Sequence, residues 1–113
     1  MHEYSIVQSL LDSCEEHARK NSATKVIKVE VKIGVLSGVE PQLLQTAFDT
    51  FKEETICSEA VFDMQIQPLV LHCNSCNFEF SPKEYKFKCQ ECESFDVIAI
   101  DGEQMYLMRL ELQ

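Results

Sequence analysis

Residues 25–36 read KVIKVEVKIGVL, and the strict alternation along them decides how the rest of the chain must fold. Ile27, Val29, Val31, Ile33 and Val35 fall on one side, and Lys28, Glu30 and Lys32 on the other. That two-residue period belongs to a strand with one face on a core and one in water. The apolar face needs cover, and the flanking sequence supplies it. Upstream, residues 4 to about 20 place Val7, Leu10, Leu11, Cys14 and Ala18 at helical spacing, with Gln8, Asp12, Glu15, Glu16 and Arg19 turned away, which predicts an amphipathic helix. Downstream, GVLSGVEP is turn sequence, and Pro41 suits the first turn of a second helix, where a missing N–H costs nothing. Leu43, Leu44, Ala47, Phe48 and Phe51 give that helix its apolar stripe.

Alternation returns with Phe62, Met64 and Ile66 against Asp63, Gln65 and Gln67, and Pro68 marks the end or edge of that strand. A last strand follows the Asp101-Gly102 turn through Tyr106, Met108, Leu110 and Leu112. Strand, helix, strand implies parallel pairing through a crossover, and the last strand can add antiparallel. The expected fold is α+β: two helices on one face of a small three-stranded mixed sheet, with a cysteine-rich insert before the final strand.

That insert, residues 73–92, reads CNSCNFEFSPKEYKFKCQEC. Cys73 and Cys76 make one C-x2-C knuckle and Cys89 and Cys92 another. In such a turn both thiolates face one ion while backbone N–H groups donate to the sulfurs, and two turns make a tetrahedral cage. Zinc is the expected occupant; iron in the same cage is the alternative. Four thiolates leave no open position for water, so the site holds structure and does not hydrolyse. Phe78, Phe80, Tyr85 and Phe87 are the sizeable apolar groups here and are expected to pack over the metal. They are too few to fold a lobe alone, so metal binding must supply the difference.

Composition narrows the remaining choices. The chain has 113 residues, six cysteines and a formal net charge of −9, a size at which a core is real but modest. The chain opens without a secretory pattern and has no stretch long enough to span a membrane, so a cytoplasmic protein with reduced thiols is expected, and its paired cysteines point to metal. The ten Lys and Arg residues are scattered among nineteen Asp and Glu, which argues against nucleic-acid binding. No nucleophile and base pair, carboxylate dyad or open metal site suggests an enzyme. Cys14, on the first helix's apolar stripe, reads as a buried structural thiol, and Cys57, in a polar stretch, as a bystander. His17 reads as a boundary residue, with a Cys14–His17 metal pair as the alternative, and His72 as a surface residue beside a ligand.

Taken together, the terminal Met1-His2-Glu3, the segment IGVLSGVEPQLLQTAF at 33–48, the two knuckles and the closing strand after IDGEQ at 100–104 resemble the HypA family of nickel metallochaperones, over essentially the full length. The resemblance implies a nickel-binding α/β domain at 1–70, completed by the C-terminal strand 97–113, and a zinc-binding lobe at 71–96. It places the nickel ligands on Met1, His2 and Glu3, and the zinc ligands on Cys73, Cys76, Cys89 and Cys92. It also implies a GTPase partner of the HypB type, a hydrogenase large-subunit precursor as recipient, urease and its accessory protein as an open alternative, and a monomer or homodimer.

The terminus is chemically suited to this role. A bulky second residue discourages removal of Met1, so its amine persists. That amine, the His2 amide nitrogen and the imidazole Nδ1 close a five- and a six-membered chelate ring in one plane, and the Glu3 amide or another donor can complete a square that suits Ni(II) or Cu(II) better than zinc. Some members of the family carry a histidine directly after each knuckle; here those positions are Asn77 and Glu93, so a pH-driven exchange of zinc ligands is not expected. The competing reading is a zinc-ribbon interaction module without nickel delivery.

Overall fold

The computed structural model describes residues 2–113, with side chains from Glu3 onward; the expectations placed on Met1 and on the His2 imidazole lie outside the described residues. Helix α1 (His2–Lys20) leads into β1 (Val26–Gly34), α2 (Pro41–Phe51) and β2 (Val61–Gln67). The short strands β3 (Val70–Cys73) and β4 (Glu79–Phe80) precede β5 (Val97–Asp101) and β6 (Met105–Leu112). Two three-stranded sheets result, ordered β2-β1-β6 and β4-β3-β5.

The first sheet is the expected mixed one. β1 pairs parallel with β2 and antiparallel with β6, and Val29, Val31 and Ile33 lie with Val7, Leu10, Leu11, Leu44, Phe48 and Phe62 in one buried cluster. The start of β1 departs from strict alternation. Ile27 is 40% exposed whereas Val26 is fully buried, because the pairing with β6 slips between Val26 and Lys28. A bulge there inserts one residue and reverses which side chain faces the core. Val35 is exposed because β1 ends at Gly34. On α2, Leu44 and Phe48 are buried while Leu43 is 57% exposed, so the helix turns a narrower stripe inward than its apolar residues suggest. Ile66, near the end of β2, is likewise exposed.

The C-terminal stretch expected to complete the first unit is divided between the sheets. Val97–Asp101 pairs antiparallel with β3, and only Met105–Leu112 returns to β1. The second unit therefore has a sheet and a core of its own: Leu69, Leu71, Cys73, Phe80 and Cys89, with Phe78, Val97 and Ala99 against them.

The two sheets are joined by backbone. The Gly34 N–H donates to Gln104 O at 3.0 Å and the Leu36 N–H to Gly102 O at 2.8 Å, both in the β5–β6 turn, while the Val35 N–H donates to Gln67 O at 3.0 Å and extends the β1–β2 pairing to the joint. The contact is close enough to demand glycine: a Cβ on Gly34 would stand 2.4 Å from the Gly102 carbonyl, and one on Gly102 would stand 2.6 Å from Leu69 Cα. Gly102 also has φ +97°, a region L side chains rarely adopt. Gly102→Ala combines that strain with a backbone clash and is expected to cost about 3 kcal/mol, lowering Tm by roughly 10 °C or more in thermal denaturation.

A side-chain brace crosses the same joint. Lys32 Nζ, on the outer face of β1, lies 3.0 Å from Asp101 Oδ2 and 5.5 Å from the centroid of the Tyr106 ring. The Lys32 ammonium, with the Gly102 N–H as second donor, holds the Asp101 carboxyl below its ordinary value of 3.8. A carboxyl with a lowered native pKa stabilises the fold above its unfolded pKa, and that contribution disappears as pH falls through the lower native one. Lys32→Met should therefore remove part of the acid sensitivity below about pH 4, measurable as a flatter fall of Tm with pH than in the parent.

Candidate metal centre

The two knuckles are built alike. After Cys73–Cys76, the Asn77 N–H donates to Cys73 O at 2.8 Å; after Cys89–Cys92, the Glu93 N–H donates to Cys89 O at 3.1 Å. Asn77 and Glu93 have φ near +60°, at 63° and 62°, so each turn closes on a left-handed residue that brings its second cysteine back toward its first. The knuckles are also stitched to one another's flanks. The Asn74 N–H donates to Asp96 O at 2.9 Å, its side-chain amide donates to Asp96 Oδ1 at 3.1 Å, and the hydroxyls of Ser75 and Ser94 meet at 3.0 Å.

These turns bring all four expected sulfurs together, within 4.8 Å of one another. Cys73 to Cys92 and Cys76 to Cys89 are both 3.6 Å. A tetrahedron of about 2.3 Å metal–sulfur bonds has sulfur–sulfur edges of about 3.8 Å, so the cage needs only slight adjustment to hold one ion. The backbone prepares the thiolates as well. N–H groups of Cys92 and Glu91 point at Cys89 Sγ from 3.5 and 3.4 Å and draw its pKa down to about 7, which puts thiolate within reach at neutral pH. Cys76 receives the Phe78 N–H, which favours its thiolate, yet desolvation and its three sulfur neighbours carry it up to about 12. Four thiols this close cannot all ionise without a cation between them.

The aromatics divide. Phe78 and Phe80 stack at 5.7 Å beside the cage, but Tyr85 and Phe87 are exposed, contrary to the expected packing over the metal. The loop that carries them, between β4 and the second knuckle, reaches past the small core. His72 lies on β3 with Nδ1 3.3 Å from Glu79 Oε2, paired away from the cage. His17 is an exposed residue of the last turn of α1, with Nδ1 2.8 Å from Ser13 O; it does not face Cys14, which is buried. Cys57 is no bystander, since it too lies in the main core.

In the first unit, the first turn of α1 is held in place. Glu3 Oε2 accepts the Glu40 N–H at 3.1 Å, and Glu40 in turn caps α2, accepting the Gln42 N–H at 3.3 Å ahead of Pro41. The Tyr4 ring meets Phe51 edge-on, with centroids 4.5 Å apart. Two helix starts are thus tied together by one carboxylate. The sequence marks Pro41 as a helix start but not Glu40 as the group that Glu3 reaches across 37 residues.

The model of the HypA family, described as hydrogenase/urease nickel incorporation metallochaperone, matches residues 1–112. The chain belongs to this family. It is 52% identical over its whole length to the hydrogenase maturation factor HypA of Shewanella baltica strain OS195, covering 97% of that protein, and 49% identical to the HypA of Aquifex aeolicus, covering 98%. A solution structure of a HypA protein superposes with TM-score 0.81 at 41% identity, covering all of this chain and 97% of the other. That of the Ni metallochaperone HypA from Helicobacter pylori superposes with TM-score 0.73 at 40% identity, covering 97% of this chain and 96% of the other. As a HypA, the chain is a nickel-incorporation metallochaperone of hydrogenase maturation and not a catalyst, and its work involves other components of that maturation. No helix among the described residues is long and apolar enough to cross a membrane.

Proposed function

We propose that this HypA binds Ni(II) at its amino terminus, holds zinc in the four-cysteine cage, and passes the nickel to a hydrogenase precursor. The single observation that carries the reading is the tie between Glu3 and Glu40, because it fixes the first turn of α1 where a terminus would otherwise fray. The first amides of a helix have no intrahelical acceptor, so an amide nitrogen of His2 or Glu3 can lose its proton and bind a metal without breaking the helix. The positive end of the helix dipole opposes a cation, and the Glu3 and Glu40 side chains bring negative charge to offset it. The Glu3 carboxylate is engaged with Glu40, so Glu3 contributes to the nickel square through its amide nitrogen. Met1 supplies the amine, and His2 the amide and imidazole.

Zinc, when bound, supplies four thiolate bonds that organise the second lobe. Cys73, Cys76, Cys89 and Cys92 hold it, and the closed donor set keeps it out of exchange with the cargo. A GTPase of the HypB type and the hydrogenase large-subunit precursor are the partners the reading calls for, with a urease accessory protein as a second route for nickel. The setting is cytoplasmic, where the thiols stay reduced. Native mass spectrometry tests the reading. The untagged protein should carry one zinc and take up one nickel, and blocking the amine should abolish nickel uptake while leaving zinc in place. Zinc alone, with no terminal nickel under any condition, would favour a zinc-ribbon interaction module instead.

A further inference from the structure

Strand β6 closes one side of the first sheet, and among the described residues β1 is its one strand neighbour. Its other edge turns main-chain N–H and C=O groups outward along Met105–Leu112, the pattern that accepts a further strand. The inward residues Met105, Leu107, Leu110 and Leu112 pack against the main cluster but are only partly buried, because the space beside them is open. Two adjoining cavities of about 410 and 350 Å³ run along this edge, with Leu107 in the wall of both. Their helix side is one row of α1, Ser5, Ser9, Ser13 and His17, at four-residue spacing. Three of the four are small, so α1 overhangs the edge without filling the space beside it. On the outer face Tyr106 and Met108 are 43% and 52% exposed. The pairing with β1 slips between Glu30–Arg109 and Val31–Leu107, which makes Met108 a bulged residue and leaves Arg109–Leu112 as the regular stretch of the edge.

We propose that this edge is an interface between two copies of the chain, in which β6 of one pairs antiparallel with β6 of the other about a two-fold axis at Leu110, making one six-stranded sheet. The order of charges along the strand selects both that occupant and that register. With Leu110 opposite Leu110, Arg109 of each copy faces Glu111 of the other on the outer face, so the pair is made twice. Sliding by two residues, the smallest slip that keeps inward side chains inward, sets Arg109 against Arg109 or Glu111 against Glu111. Opposite charges across a strand pair attract, and like charges there repel. Within one chain Arg109 Nη2 and Glu111 Oε2 are 3.7 Å apart, so both charged heads already lie on this face. On the inward face Leu112 passes the bulge to lie beside Leu107 of the other copy, and α1 of each copy overhangs the strand added to it. The start of α1 stays clear of the axis, because Ser5 lines the cavity at the Met105 end whereas His17 lines the one at Leu110. Each copy carries a formal net charge of −9, and that repulsion keeps the dimer weak and in exchange with monomer.

The test is sedimentation velocity on the untagged, zinc-loaded chain over a range of concentrations, with hydrogen exchange at the two extremes. The parent should pass from monomer to dimer as concentration rises. Exchange of the β6 amides should slow with it, while that of β2, the opposite edge, stays the same. Arg109→Glu and Glu111→Arg each turn two attractive pairs into two repulsive ones and should raise the dimer Kd about tenfold or more. Mixing the two variants in equal amounts should recover association, since each then supplies the charge the other lacks, and the double variant Arg109→Glu/Glu111→Arg should recover it alone. Both side chains are exposed, at 65% and 40%, so the variants should keep the parent's circular dichroism; if one does not, the other single variant and the parent's exchange pattern decide. The proposal is overturned by a parent that stays monomeric at every concentration, by a dimer whose Kd ignores the reversals, by mixed variants that fail to associate, or by slowed exchange confined to β2 or the zinc lobe.

Discussion

Removing the metal from the four-cysteine cage is expected to unfold residues 69–101 and leave the β2-β1-β6 sheet with its two helices standing. The second lobe has a core of five buried residues, and two of them, Cys73 and Cys89, are cage sulfurs. Without a cation, four crowded thiols must stay largely protonated, and what remains is Leu69, Leu71 and Phe80 under a three-stranded sheet, too little to hold a fold. Binding a structural zinc supplies about 10 kcal/mol or more, far beyond anything else in the lobe. The first unit loses nothing comparable, since its cluster runs from Val7 to Phe62 and contains none of the four cage cysteines. Hydrogen exchange reads the outcome directly: β3 and β5 amides should exchange freely after chelation while β1 and β2 amides remain protected. Cys73→Ser should act in the same direction and leave nickel binding largely intact. Loss of the helix signal in circular dichroism together with the zinc would show that the two units are one.

Adding one or two residues before Met1 is expected to abolish high-affinity nickel binding although no side chain changes. The extension turns the terminal amine into a mid-chain amide and moves His2 away from the free end, which destroys the five-membered ring. His2→Ala removes the imidazole and should have an equal effect, whereas His17→Ala should leave affinity as it is, because that ring is spent on Ser13 O at the far end of α1. Protons compete for amine and imidazole and must leave the amide, so affinity should fall as pH drops through the imidazole range near about 6.5. Isothermal titration of the untagged, extended and His2→Ala proteins distinguishes these outcomes. Equal affinity for the extended and untagged forms would rule out the amine as a ligand.

The periodic parts of the molecule were legible from sequence because period reports a face directly. Both helices, β1, β2, β6 and their mixed pairing follow from it, and the four cage cysteines follow from their spacing. The failures have local causes. Ile27 and Val26 exchange places because a bulge is a pairing event with β6 that the β1 sequence does not record. β5 is not separable in sequence from the stretch that completes the first unit, because Val97–Asp101 alternates as any edge strand would and nothing in it says which sheet it joins. Cys57 lies in a run of polar residues, yet its backbone is tied to Thr55 and Ala60, so the turn sends that one side chain inward. The left-handed conformations of Asn77 and Glu93, which close the knuckles, are decisions of the backbone and not of residue type, so the sequence does not announce them.

The joint between the sheets separates two kinds of inheritance. Its bonds run between main-chain groups at 34–36, 67 and 102–104, and its closest contact is glycine against glycine. Geometry written in peptide groups survives almost any change of side chain around it. The side chains on the faces of either lobe can thus change while the main-chain geometry of the joint stays as it is. Retailoring the protein for a new recipient is then a matter of repainting faces, with only Gly34 and Gly102 required to stay as they are.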